Sequence, residues 1–133
     1  MATSAQYAST PVFGSVNLTG SDTSLTAPVT IGSILTAGAS GTRIDYIEIQ
    51  GVATTVAGLV NLFVYDGTNY ILWQQVPVQA VTSSTTVPAF AFALSSNSNA
   101  NIMPLNLPTG YSLRATTSVA QTGVRVTAYG GNF

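Results

Sequence analysis

Four acidic residues and three arginines are the only charged side chains in this 133-residue sequence. Two of the acids, Asp45 and Glu48, stand close together beside Arg43 in TRIDYIEIQG, and a third, Asp66, lies inside NLFVYDGTNYILWQQVPV. Paired carboxylates could act as the acid and base of a glycoside hydrolase, and an exposed Asp could serve as a ligand or an acid. The rest of the chain does not support such chemistry. Histidine, cysteine and lysine are all missing, which removes Ser-His-Asp catalysis, histidine bases, thiolate and lysine nucleophiles, and His- or Cys-ligated metals. The glycines of TAGASGT, residues 36–42, have neither the spacing nor the following lysine of a phosphate loop and read as a connector. No catalytic residue, cofactor or metal is expected.

Asp66 has a simpler explanation. The sequence Asp66-Gly67-Thr68-Asn69 separates two apolar runs. Asp accepts backbone N–H bonds in turns, and Gly takes positive φ without a Cβ clash, so a hairpin turn is expected there. Leu59, Asn61, Phe63 and Tyr65 alternate with Val60, Leu62 and Val64 on the incoming strand. Both sides are largely apolar, which suits a central strand covered on both faces. On the return strand, alternation puts Tyr70, Leu72 and Val76 on one side and Ile71 and Trp73 on the other.

The same period of two runs through the chain. Short runs of Val, Ile, Thr, Tyr and Phe are broken by Gly, Pro, Ser and Asn, with no amphipathic helix among them. Strands are expected near 11–19, 25–35, 42–53, 58–66, 69–78, 86–95, 101–107, 111–118 and 122–130. Eight to nine short antiparallel strands must stack or close on themselves. The expected fold is therefore an all-β, two-sheet, jelly-roll-like sandwich over residues 13–133, preceded by an extended N-terminal arm over 1–12; a closed barrel is the alternative. One core suffices at this length, burying roughly 65–70% of the unfolded chain's surface. The polar segments 79–86 and 95–101 read as surface loops.

Simple alternation fails in TRIDYIEIQG. A bulge at Tyr46-Ile47 would restore it, turning Ile44, Ile47 and Ile49 inward and Arg43, Asp45, Glu48 and Gln50 outward. The outward stripe is then a set of local ion pairs or a polar key at a subunit interface. Arg114 in SLRAT and Arg125 in GVRVT each alternate with apolar neighbours and should face outward, close together if the last two strands pair. A carboxylate of a neighbouring chain suits them better than phosphate. Phe90 and Phe92 alternate with alanines, giving one large face for packing against a sheet or a subunit. Trp73, Tyr111 and Tyr129 are core or interface residues, with a carbohydrate platform as the rival reading. Gly130 and Gly131 leave Phe133 free to fold back or dock.

Charged residues make up 5% of the chain, against about 25% in ordinary soluble domains. A net charge of −1 does little to keep copies apart in solution. Three arginines are too few for a nucleic-acid surface. No run nears the roughly 18 apolar residues of a spanning helix, and a membrane barrel would need a polar lumen and aromatic girdles. MATSAQYASTPVF carries no basic residue and no continuous apolar run, so no secretory signal is expected and the Asn17-Leu18-Thr19 sequon carries little weight. The exterior is expected to be covered by partner chains.

The hairpin NLFVYDGTNYILWQQVPV, followed by TVPAFAFAL, LPTGYSLRATT and the closing AYGGNF, resembles a group of small tailed-bacteriophage virion proteins over about residues 42–133. The first 41 residues match less clearly. The resemblance implies a capsid decoration or cement subunit, made in the host cytoplasm and bound to the outer surface of the assembled head, commonly as a homotrimer contacting the major capsid protein. Its expected interface residues are Arg43, Asp45, Glu48, Phe90, Phe92, Arg114, Arg125 and Phe133, with no nucleic acid, membrane or cofactor involved. The alternatives are a head-fibre or tail-associated module binding host glycans, and a neck or tail structural subunit.

Overall fold

The computed structural model describes residues 10–95 and 104–133. Among them the chain forms β1 (Thr10–Leu18), β2 (Gly32–Thr36), β3 (Thr42–Gly51), β4 (Gly58–Tyr65), β5 (Tyr70–Val78), β6 (Ala91–Ser95), β7 (Leu105–Leu107), β8 (Ser112–Thr117) and β9 (Val124–Asn132). One sheet runs β1-β9-β3-β6, with β7 also paired to β3; the other runs β2-β8-β4-β5. Every pairing between these strands is antiparallel. Apart from the β4–β5 hairpin and the step from β6 to β7, successive strands change sheets. β6 and β7 follow each other along one edge of β3 and act as a single interrupted strand, which gives a jelly-roll-like order.

Each expected strand has a counterpart, with corrections. Thr10, Pro11 and Val12 of the expected arm belong to β1, paired with Asn132, Gly131 and Gly130. Residues 1–9 of that arm, residues 96–101 of the polar loop and the start of the strand expected from 101 lie outside the described residues. The strand expected over 25–35 is confined to Gly32–Thr36. The Asp22 carboxylate takes up the backbone N–H groups of Ser24, Val29 and Thr30 and folds the preceding stretch into a loop. The strand expected over 86–95 begins only at Ala91, because Ser84 accepts from the N–H groups of Thr86 and Val87 and Pro88 has none to give.

β3 organises the first sheet. In its pairing with β9, Ile44 faces Gly130 and Tyr46 faces Tyr129, leaving Asp45 as the extra residue. The expected bulge thus exists, one position earlier than alternation suggested. Its consequence is as expected: Ile44, Ile47 and Ile49 are fully buried, while Arg43, Asp45, Glu48 and Gln50 lie on the outer side. Gly130 permits the bulge, since a Cβ there would lie 1.8 Å from the Arg43 carbonyl oxygen. Gly14 does the same where β1 crosses β2, its Cβ position being 2.1 Å from the Ile34 carbonyl oxygen.

β4 is the interior strand of the second sheet, and Val60, Asn61, Leu62 and Phe63 are all buried. Its inner row, Val60 and Leu62, meets Ala115 and Leu113 of β8 and Val76 and Val78 of β5 in the common core with the β3 isoleucines. A second bulge corrects the return strand. Leu62 pairs with Gln74 but Phe63 with Leu72, so Trp73 is extra. Val76 therefore points inward while Tyr70 and Leu72 share the outer side with Phe63.

Loop ends are tied by side chains. The Gln121 carboxamide donates to the Val56 carbonyl and accepts from the Val56 N–H. Thr42 accepts from the Gly38 N–H and donates to the Asn132 side chain.

Two glycines separate steric from conformational demands. Gly130→Ala should lower stability by about 2 kcal/mol or more, because backbone must move. Gly67→Ala should cost about 1 kcal/mol, since its φ of 100° is unfavourable for L residues but nothing lies within 4 Å of the new Cβ. Urea unfolding of both variants checks the order, and equal losses would remove the close approach at Gly130 as a constraint.

Candidate functional site

All four side-chain carboxylates of the chain lie among the described residues, and each has a local partner. Asp66 accepts from the N–H groups of Thr68 and Asn69, while its own N–H bonds the Asn69 carbonyl; it is a turn residue. Those N–H donors, Asn69 first, hold its carboxyl below the usual value. Asp22 is held down in the same way, chiefly by the N–H of Thr30 and then those of Val29 and Ser24. Asp45 pairs with Arg43 at 2.8 Å, with both side chains more than 40% exposed. Such an exposed pair contributes less than about 1 kcal/mol. Glu48 receives the Tyr46 hydroxyl at 3.3 Å. Burial, and then the Glu48 charge, raise the Tyr46 pKa. Among the described residues no cluster of three or more acidic, His or Cys groups could hold a metal.

The outer face of the β1-β9-β3-β6 sheet is built in rows. Phe13, Tyr129 and Tyr46 stand opposite one another on β1, β9 and β3. The Tyr46 and Tyr129 rings stack at 4.9 Å, and Phe13 and Tyr129 remain 70% and 44% exposed. The next rows are Ser15, Thr127 and Glu48, then Asn17, Arg125 and Gln50. Ser15 and Thr127 share a hydrogen bond of 3.2 Å. The result is an uncharged aromatic strip flanked by polar rows that carry Glu48 and Arg125, with the Arg43–Asp45 pair on the same face.

The outer face of the other sheet holds a different constellation. Tyr65 on β4 pairs with Tyr70 on β5 and Ser112 on β8, while Phe63 pairs with Arg114. The Arg114 guanidinium lies 4.2 Å from the Tyr65 ring centre. Its Nε donates to Ser112 Oγ and its Nη1 to the Tyr70 hydroxyl, both at 3.0 Å. The rings brace one another: Tyr65 against Tyr70 at 4.4 Å, and Phe63 edge-on to Tyr70 at 5.9 Å. Beyond them, Gln75 donates to Asn61 and Asn61 to Thr116, a neutral ladder across three strands.

Arg114 and Arg125 do not come together. β8 and β9 belong to different sheets, so the two arginines lie on opposite outer faces of the sandwich. Phe90 and Phe92 turn into the chain's own core, with Phe90 8% exposed. Trp73 and Tyr111 also pack against that core and form no shared platform with Tyr129. Phe133 folds back, its N–H donating to the Gly41 carbonyl. Sequence reading did not single out Phe13, Tyr65, Tyr70, Ser112 or Asp22. Ser112 lies two residues away on Arg114's own strand and Tyr65 and Tyr70 flank the expected hairpin, but the pairing of β8 with β4 that brings them together is encoded by no local pattern. Comparison with protein-family models, curated proteins and solved structures returned no match to this chain.

The Asp22 loop yields a pH prediction. Because its carboxyl is held down in the fold, the stability it contributes is present above about pH 4, the unfolded value, and fades as pH falls through the folded value. Urea midpoints taken over acid pH should fall less steeply for Asp22→Asn than for the wild type. Parallel curves would mean that the carboxylate does not hold the loop.

Proposed function

We propose that this chain is a structural subunit of a larger assembly and, from the resemblance described above, a cement protein on the outer surface of a tailed-bacteriophage head. The observation that carries the reading is the uncharged Phe13-Tyr129-Tyr46 strip, with Phe13 and Tyr129 exposed, on a sheet face whose charged residues, the Arg43–Asp45 pair, Glu48 and Arg125, lie beside the strip and not within it. A soluble monomer has no use for such a strip, whereas an interface core favours aromatic residues and few charges. The accounted-for carboxylates favour a structural role over a hydrolytic one. Self-association, with a trimer as the natural unit around three-fold lattice positions, and contact with the major capsid protein belong to the same proposal.

The mechanism is mass action. A subunit that binds the assembled lattice and not the loose capsomer adds its binding free energy to the stability of the shell. Contacts made of apolar rings and neutral hydrogen bonds are screened little by salt. The same aromatic strip supports a second reading, stacking against the rings of a host glycan.

Particles lacking the protein should lose genome under osmotic shock or at lower temperature than decorated ones, and adding the protein back should restore retention nearly equally at low and high salt. Equal stability of stripped and decorated particles would overturn the cement role. Binding of the isolated protein to a glycan array, with no affinity for particles, would favour the second reading.

A further inference from the structure

We infer that Arg114 and its two tyrosines form a socket for a carboxylate, and that the carboxylate belongs to an acidic side chain of a neighbouring polypeptide in the assembly. Only the second half rests on the structural-subunit reading. The first rests on the geometry. Arginine presents five N–H donors, and two are used, by Ser112 and Tyr70. Both hydrogens of Nη2 and one of Nη1 have no partner among the described residues, enough donors for the two bonds that a carboxylate accepts from a guanidinium. The guanidinium cannot swing away freely, because it is stacked on Tyr65 and bonded on two sides. Among the described residues, which include every carboxylate side chain of the chain, the only ion pair is Arg43–Asp45. A half-buried cation has thus been fixed on an outer face with no counter-charge from its own chain.

The same surroundings select among anions. A single guanidinium matches a singly charged group. A polypeptide donor is favoured over a small acid because small ligands seek concave sites. A cavity among the described residues lies elsewhere, lined by Val16–Gly20 and Thr30–Gly32. Arg114 stands on a sheet face beside the neutral Asn61-Gln75-Thr116 ladder, a surface suited to another protein surface.

The test follows by NMR the backbone N–H resonances of Tyr70, Ser112 and residue 114 of the full chain, with the Arg114 Nε–H resonance added where arginine is present. N-acetylglutamate amide, glucuronate, inorganic phosphate and chloride are titrated separately at constant ionic strength. The expected result is a saturable shift with N-acetylglutamate amide, about tenfold weaker binding in Arg114→Lys, the worth of one charge-assisted hydrogen bond, and a comparable loss in Tyr70→Phe. Both variants should keep the wild-type backbone spectrum. No saturable shift, or equal affinity in Arg114→Lys, would overturn the socket. Phosphate binding more tightly would overturn the carboxylate, and glucuronate binding at least tenfold more tightly would overturn the polypeptide donor in favour of an acidic sugar. No particle enters this titration, so it can fail while the cement reading survives, and succeed while that reading falls.

Discussion

One extra residue in β3 decides how the molecule faces inward and outward. Side chains alternate strictly along a strand, so Ile44 and Ile47 could not both point into the core without the bulge at Asp45. With it, three isoleucines line one side, and the same strand offers Tyr46, Glu48 and Gln50 to the outer rows. β3 pairs with β9, β6 and β7, so a slip here would move the neighbouring strands as well. The constraint is shared with Gly130. Only a residue without Cβ lets β9 lie against the bulge, and that absence is as much a part of the register as the isoleucines.

Much of this architecture was legible in the sequence, because a period of two and the residues that punctuate it are local signals. The β4–β5 turn is written in Asp66-Gly67, and the β3 bulge shows itself as a break in alternation at three isoleucines. The Trp73 bulge is silent: Tyr70, Leu72 and Val76 are all acceptable on one side, so nothing in the string marks the change of phase. Asp22 was missed for another reason. Its partners Val29 and Thr30 lie seven and eight residues away and contribute only backbone N–H groups, which no side-chain pattern reveals.

The outer faces were the least legible part. Alternation correctly turns Arg114 and Arg125 away from the core, yet a jelly-roll-like order sends consecutive strands to opposite sheets, and the two cations end far apart. The same order explains the phenylalanines. β6 is the edge partner of β3 and closes over the core, so the large side of AFAFAL is consumed within the chain. What remains for other molecules is an aromatic strip on one face and an arginine braced by tyrosines on the other.

These two faces solve the problem of a charge-poor surface differently. The Phe13 strip is non-directional: burying it gains free energy in proportion to area, roughly 25 cal/mol per Å² of apolar surface, but tolerates many orientations of a partner. The Arg114 clamp gains less by area and restricts orientation, because a planar fork accepts a carboxylate only along its own plane. A protein with numerous charges could not rely on one such contact for register, since competing pairs would form elsewhere. With Arg43 already held by Asp45, and the Asp22 and Asp66 carboxylates engaged by backbone N–H groups, few alternative ionic pairings remain on this chain. Scarcity of charge thus raises the information carried by each charge that is left, and it does so without adding electrostatic strength.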